Sequence, residues 1–443
     1  MTTATPGIVA IIGLGYVGLP LAVLAREKGW QVIGVDIAAE KVSAINTGRP
    51  PFHDEELASQ IRRYPIEATA DFERIRTADI IIIAVPTPVN DAHQPDLVPL
   101  TGALQSVLPH LAPGQVLVVE STINPGVMAE VALPLLRQRS DITLDVDGET
   151  DTTVYVAHCP ERINPGDKKW SVRNIPRVLG GFSAAGAAKA RAFYNSVLEA
   201  PVTVLHSATE AEAVKILENT FRDINIAYIN EMAKSFDALG INISNVIAGA
   251  ATKPFAFLPH YPGNGVGGHC ISVDPYYMIE RGRQAGFDHQ FLKLAREINE
   301  SMPAFSLELL ERVLHRSGTS LPAATIAVLG LAYKKNVADV RNSPALKTVE
   351  LLTGRAKEVR TYDPFIPGRS TADALAAAVQ GADAILLACD HDSLVGQLTA
   401  GNLSDWHVPA VVDGKNALDQ TALQTAGIIY VGIGRPLAPV SPH

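Results

Sequence analysis

Cysteine is scarce in this chain: Cys159, Cys270 and Cys389 are the only three in 443 residues. They lie far apart, with no CxxC and no cysteine–histidine zinc spacing, so neither a disulfide framework nor a metal site is expected. Long apolar runs are missing as well. Ile80–Val85 falls far short of the about 20 residues that cross a bilayer, and no membrane segment is expected. Positive charge is in short supply, with 37 Lys and Arg against 46 Asp and Glu and a net charge of −9. That argues against a nucleic-acid or anionic-membrane surface but leaves room for a local phosphate pocket. No low-complexity tract interrupts a composition that is 47% hydrophobic and 19% charged, as in soluble globular proteins. No basic region precedes Ile8–Ile12, which reads as a first strand rather than a secretion signal, and a cytoplasmic location is expected. At 443 residues the chain exceeds a single core, and its length suggests about three domains.

What is present begins with glycine. Ile8–Ile12 runs into Gly-Leu-Gly-Tyr-Val-Gly, where Gly13, Gly15 and Gly18 have the dinucleotide-binding spacing and Tyr16 and Val17 fill the turn. A helix is expected over Pro20–Lys28 and a second strand over Gln31–Val35, ending in Asp36. Strand, glycine turn, helix and an acid about 20 residues on form a strong signal: pyrophosphate sits at the helix N-terminus and the acid accepts the ribose hydroxyls. Asp36 would repel a 2′-phosphate, so NAD is favoured over NADP, with Lys41 softening the preference. Further buried strands at Ala78–Val85, Val116–Glu120 and Val154–Ala157 end in Pro86-Thr87-Pro88, Glu120-Ser121-Thr122 and Pro160-Glu161-Arg162. Open α/β sheets bind ligands at such carboxyl ends, which makes Pro86, Thr87, Thr122 and Glu161 candidates.

A long helix is expected from Thr209 to about Leu239. Its stripe of Leu217, Phe221, Ile224 and Tyr228 reads as core, and Lys215 and Asn219 share one face four residues apart. After it comes Pro262–Asp274, PGNGVGGHCISVD, in which four glycines precede Cys270 and Asp274 follows it. Glycine lets backbone approach a ligand closely, and a thiol in such a loop is within reach of a substrate. Past a break at Leu321–Pro322, strands at Thr325–Gly330, up to Tyr362, at Ala384–Leu387 and at Ala410–Val412 alternate with helices such as Ala345–Leu352. A second doubly wound domain follows. It lacks the GxGxxG fingerprint, and Lys334, Lys335 and Arg341 at its carboxyl edge suit phosphates. The expected fold is α/β: two Rossmann-like domains, 1–205 and 319–443, joined by a long central helix and a helical middle domain, 206–318.

These motifs together resemble the UDP-glucose/GDP-mannose dehydrogenase family over nearly the whole chain. GLGYVGLP, Pro86–Pro88 and Glu120–Thr122 are similar to its cofactor half. The Lys215-x-x-x-Asn219 helix, GVGGHC and DVRNSPA at Asp339–Ala345 are similar to its catalytic and nucleotide-sugar half. Within the family, PERINPGDKK at Pro160–Lys169 and TKPFAFLPHYPGNGVGGHC at Thr252–Cys270 most resemble the UDP-N-acetylhexosamine 6-dehydrogenases, acting on UDP-GlcNAc or UDP-ManNAc. Asn124, Asn264 and Asn342 depart from the commoner Tyr, Pro and Glu. The resemblance implies NAD-dependent oxidation of a sugar C6 alcohol to a carboxylate, with UDP-glucose as the alternative substrate. It assigns Cys270 as nucleophile and Asp274, with Thr122, as base for the hydroxyl. Glu161 serves as hydrolytic base, while Lys215 and Asn219 stabilise the oxyanion. It places Arg162, Ile163, Asn164, Gly267 and Lys334 on the substrate, Lys253 on a neighbouring subunit's substrate and Arg341 on the cofactor, and it implies a homodimer or higher homo-oligomer. Two other readings compete with this one. A single-step β-hydroxyacid-type dehydrogenase has no use for Cys270, and a non-catalytic NAD-binding regulator has no use for the catalytic set.

Overall fold

The structure is a computed structural model that describes residues 6–52, 54–90, 94–163 and 169–437. Two compact units divide the chain: Met1–Glu218 with Tyr276–Phe287, and Asn219–Pro275 with Asp288–His443.

The first unit carries β1 (Ile8–Ile12), β2 (Gln31–Val35), β3 (Glu67–Thr69), β4 (Ile80–Ile83), β5 (Val116–Val119), β6 (Thr143–Leu144), β7 (Thr153–His158), β8 (Arg177–Gly181) and β9 (Val202–Val204). Their order is β3-β2-β1-β4-β5-β7-β8-β9, with β6 beside β7. The β7–β8 pair is antiparallel and the other ladders are parallel. Strands such as IVAII, IIII and VLVV are apolar throughout because helices cover both faces of the sheet. Successive side chains point to opposite faces. Val9 and Ile11 therefore join one core with Trp30 and Phe193, while Ala10 and Ile12 join another with Leu104 and Val119. From β1 the chain winds outward through β2 and β3, then returns to β4 on the other side of β1. This reversal is the topological switch point, where doubly wound sheets open a crevice at the carboxyl ends of their strands.

The second unit has a parallel sheet of β10 (Thr325–Leu329), β11 (Glu358–Tyr362), β12 (Ala384–Leu387), β13 (Ala410–Asp413) and β14 (Ile429–Gly432), in the order β11-β10-β12-β13-β14. Each face of this sheet has its own core, one built with the helix Met302–Arg316 and the other with Leu375, Leu403 and Leu423.

The long helix runs Ala208–Ala238, and here one expectation is overturned. Leu217, Phe221 and Tyr228 are not core: they are 70%, 47% and 58% exposed, and Ile224 is only partly covered. The helix buries a different stripe, Asp223, Ala227, Asn230 and Ala233. Two of these are small, and at Ala233 neighbouring backbone comes close: a Cβ on Gly434 would lie 2.9 Å from that of Ala233. The other two are polar because they anchor a loop described below. Helical periodicity identified an apolar face without revealing whether this chain covers it.

Candidate active site

In the first unit the turn after β1 is built as a cradle. Gly13 has φ +93°, and a Cβ there would lie 2.6 Å from the Ala84 carbonyl oxygen, so only glycine fits. Gly15 by contrast faces open space. The helix Gly18–Glu27 begins with Val17 at its N-cap, without a side-chain cap or an acid in its first turn. Leu19 N donates to Gly15 O at 3.2 Å and Pro20 has no N–H, so the amides at Val17 and Gly18 are the ones left without a capping side chain, at the end where an anion binds. Asp36, buried at the end of β2, accepts the Leu14 and Ala38 amides at 2.9 Å each and lies 3.3 Å from Lys41 Nζ. Tyr16 stacks on Phe52 with ring centroids 4.1 Å apart. Thr87 Oγ1 donates to the Thr122 carbonyl at 2.6 Å, and Ser121 Oγ donates to Val85 O at 2.7 Å. The Tyr277 hydroxyl donates to Thr87 O. Together these bonds join the turns at Pro86–Pro88 and Glu120–Thr122. An open glycine turn, uncapped helix amides and a carboxylate at the end of β2 fit a dinucleotide.

Glu161, just past β7, is buried and accepts the Arg162 and Ile163 amides at 2.6 and 2.5 Å. Arg177 Nη2 lies 2.5 Å from its other oxygen. Arg177 also faces Glu120, with Nη1 3.6 Å from Oε2, and Tyr194 donates to Glu120 Oε1 at 2.5 Å. Burial pushes the Glu120 carboxyl up to about 7, against the pull of Arg177 and with the added repulsion of Glu161. Sequence reasoning takes Glu120 only as the end of a strand in the Glu120–Thr122 motif, and it reads the mixed charges from Asp167 to Arg177 as surface with a possible ligand-facing segment. The structure corrects this at Arg177, which is fully buried against Glu120 and Glu161. A charged residue opening the apolar run Arg177–Gly181 was the available signal. Arg162 pairs with Glu218 and donates to Pro176 O at 2.9 Å, so its guanidinium is engaged within the fold. Lys215 is buried on the long helix, and Asn124 is buried at the turn after β5. Asn164 lies outside the described residues.

In the second unit, Asn219 Nδ2 donates to Asp274 Oδ2 at 2.5 Å, and both side chains are buried. Asp274 opens the helix Asp274–Gln284, and its amide donates to the Cys270 carbonyl at 2.8 Å. Cys270 itself is exposed, whereas burial pushes the thiols of Cys159 and Cys389 up to about 12. The structure thus brings an exposed thiol within one turn of a buried, amide-bonded carboxylate.

The loop that carries Cys270 is fastened along its length. Gly263 N donates to Asn230 Oδ1 at 3.0 Å, and Asn230 donates to Asn299 at 2.9 Å. Asn299 and Arg296 in turn donate to Asp223 at 2.8 and 2.7 Å. Asn264 accepts from Ser306 at 2.6 Å and donates to Thr348 at 3.2 Å. Gly268 N donates to Arg341 O at 2.9 Å, and its own carbonyl accepts from Asn342 at 3.3 Å. A Cβ on Gly267 would meet Asn342 O at 2.6 Å and Pro344 Cδ at 2.8 Å. Asn264 and Asn342 therefore serve loop architecture. Arg341 lies on Asp339, with Nη2 2.6 Å from Oδ2. Lys253 is exposed over the Phe255 ring, and Lys334 is half-buried. Among the described residues no cluster of His, Cys, Asp or Glu suits a metal, and no helix is long and apolar enough to cross a membrane.

Three family models match in series: the NAD binding domain of the UDP-glucose/GDP-mannose dehydrogenase family over residues 8–198, its central domain over 209–301 and its UDP binding domain over 327–420. The chain belongs to this family. Members similar to it include the UDP-N-acetyl-D-mannosamine dehydrogenase of Pyrococcus horikoshii, 37% identical over 431 residues and covering 96% of this chain and 99% of that one. The UDP-N-acetyl-D-glucosamine 6-dehydrogenase of Salmonella typhi is 37% identical over 361 residues, covering 81% and 82%. A solved structure of the Pyrococcus horikoshii UDP-D-ManNAc dehydrogenase matches with a TM-score of 0.86 over 97% of this chain and 99% of that one. This member of the UDP-glucose/GDP-mannose dehydrogenase family is an NAD-dependent nucleotide-sugar dehydrogenase, and NAD is its cofactor.

Proposed function

We propose that this dehydrogenase oxidises the C6 hydroxyl of a UDP-N-acetylhexosamine, UDP-GlcNAc or UDP-ManNAc, to the uronic acid by four electrons, with Cys270 holding the intermediate. The observation that carries the reading is the exposed Cys270 thiol beside a buried Asn219–Asp274 pair. Gly13, Gly15, Tyr16, Val17, Gly18, Asp36 and the Pro86-Thr87 turn would hold NAD, which when bound would supply the hydride acceptor for each oxidation at C6.

Asp274, with a water held by Thr122, takes the proton of the C6 hydroxyl as the alcohol becomes an aldehyde. The Cys270 sulfur bonds to the aldehyde carbon as the C=O π bond opens and the thiol proton passes to that oxygen, giving a thiohemiacetal that can again lose a hydride. Loss of that hydride and the hydroxyl proton leaves a thioester. Glu161 takes a proton from water as the water oxygen bonds to the thioester carbon. The C–S bond then breaks, and the thiolate regains a proton as the carboxylate is released. Lys215 and Asn219 stabilise the oxyanion of these steps, for which preorganised donors are worth about 10²–10³ in rate. Lys334 and Gly267 serve the nucleotide sugar together with the segment from Arg162 through Asn164, and Arg341 serves the cofactor.

Functionally the chain keeps three parts, cofactor domain 1–205, middle domain 206–318 and UDP domain 319–443. The exposed Phe221, Tyr228, Phe255, Leu258, Tyr261 and Phe291 support a homodimer through the middle domain, with Lys253 reaching the neighbouring subunit's substrate. We place the enzyme in the cytoplasm. The names of the relatives support an acetamido sugar, while UDP-glucose remains the second reading. Measured together, kcat/KM for UDP-GlcNAc, UDP-ManNAc and UDP-glucose decides: UDP-glucose as the best of the three overturns the acetamido assignment.

A further inference from the structure

Arg177 is a fully buried guanidinium with two buried carboxylates and no forked pairing to either. Its nearest approaches are single atoms, Nη2 to Glu161 Oε2 at 2.5 Å and Nη1 to Glu120 Oε2 at 3.6 Å. None of its N–H groups makes an aligned hydrogen bond, and neither of the facing carboxylate oxygens accepts one. The opposite oxygens are fixed. Glu161 Oε1 is held by two backbone amides and Glu120 Oε1 by the Tyr194 hydroxyl. The cation therefore stands between two immobilised carboxylates, close to Glu161 and farther from Glu120, with a fork closed on neither. A structural ion pair would be expected to close as a bidentate fork, since that geometry best offsets the loss of hydration.

We propose that Arg177 and Glu120 are positioning residues for Glu161: they hold its outer oxygen in place and let its charge change during thioester hydrolysis be balanced inside the protein. When Glu161 takes the proton of the attacking water, it stops balancing Arg177, and Glu120 remains to do so. When Glu161 returns the proton, Arg177 again faces it at ion-pair distance. A lone buried carboxylate beside a lone buried cation would leave one charge unmatched at one stage of that cycle. The groups facing Glu120 are Arg177 from β8, Glu161 and Cys159 from the end of β7, and Tyr194 from the helix Ala184–Val197. Of these, burial keeps the Cys159 thiol and the Tyr194 hydroxyl protonated between about pH 5 and 9. Burial raises Glu120 into that range, so the balance shifts with pH. Above the Glu120 transition the guanidinium is shared and Glu161 is the stronger base, while below it Arg177 serves Glu161 alone.

This inference rests on Glu161 being the hydrolytic base, and the experiment separates the two. Single-turnover reactions with UDP-ManNAc or UDP-GlcNAc and excess NAD are quenched, and acyl-enzyme is followed by intact-protein mass across pH 5.5–9 for wild type, E161Q, E120Q, R177M and R177K. Wild-type hydrolysis should rise through one transition near neutrality. E120Q should lack that transition and remain at the acid-limb rate, with substrate KM unchanged. R177M should slow hydrolysis about 10²-fold, the scale of a misplaced reacting group. R177K, which keeps the charge, should recover most of that rate. An E120Q profile superimposed on wild type, while E161Q accumulates acyl-enzyme, overturns the inference and leaves Glu161 as base. If E161Q hydrolyses at the wild-type rate, the role of Glu161 falls and the inference with it. Should R177M fail to fold, R177K and E120Q still decide.

Discussion

The Cys270 loop owes its path to the missing side chain at Gly267, and adding one methyl there should be costly. A Cβ would sit 2.6 Å from Asn342 O, 2.8 Å from Pro344 Cδ and 2.8 Å from Tyr333 Cβ, which are backbone, ring and stem atoms with little room to move. Gly267 is outside the left-handed region, so Gly267→Ala adds crowding and no backbone strain. Overpacking of this kind costs about 1–3 kcal/mol. For a unit of this size that is a fall in Tm of roughly 2–12 °C. The relaxed loop also shifts Cys270, three residues on, and a displacement near 1 Å costs about 10²-fold in rate. Gly249→Ala is the matched control. It lies in the helix Ile243–Ala250 of the same unit, and nothing comes within 4 Å of its Cβ. That substitution should stabilise by about 0.5–1 kcal/mol and leave kcat alone. Thermal unfolding and steady-state kinetics of the two variants test this together. Wild-type Tm and kcat in Gly267→Ala would refute the crowding argument.

The remaining predictions concern single side chains. Asp36→Ala should raise KM for NAD and relax discrimination against NADP, and it should lower Tm because the Leu14 and Ala38 amides lose their acceptor, at about 1–3 kcal/mol each. Equal kcat/KM of wild type with both cofactors would contradict it. Lys215→Ala should cut kcat by about 10²–10³ with little change in KM; a change in KM alone would reassign the lysine to binding. Glu120 holds its proton up to about 7 in the folded chain, whereas an unfolded glutamate releases it near pH 4.3. Its contribution to stability is therefore complete below about pH 4.3 and is lost as pH rises toward and past 7. Glu120→Gln should flatten that decline in a Tm-against-pH series, and an unchanged slope would contradict the assignment.

Much of the fold could be read from local pattern. Ile8–Ile12, Gln31–Val35 and Ala384–Leu387 coincide with β1, β2 and β12, because buried parallel strands are apolar without interruption. The short strands β3, β6 and β9 carried no such run and went unseen. The turn residues Thr87, Thr122 and Glu161 were legible because strand ends in a doubly wound sheet fall on one edge. What supports them was not: Tyr277 reaches Thr87 from 190 positions away, and nothing local announces that pairing. Asn264 and Asn342 stood out in the sequence only as departures from habit, and the structure gives them hydrogen bonds that hold the cysteine loop. The stripe at Leu217, Phe221 and Tyr228 was misassigned because periodicity reports an apolar face, not what lies against it.

The central claim is that one active site removes two hydrides from one sugar carbon while Cys270 holds the intermediate. NADH formed per molecule of UDP-ManNAc or UDP-GlcNAc consumed, measured for wild type and Cys270→Ala, tests it most directly. The account predicts two NADH per sugar for wild type, and for Cys270→Ala no complete oxidation to the carboxylate. One NADH per sugar in the wild type, or two in Cys270→Ala, would contradict it.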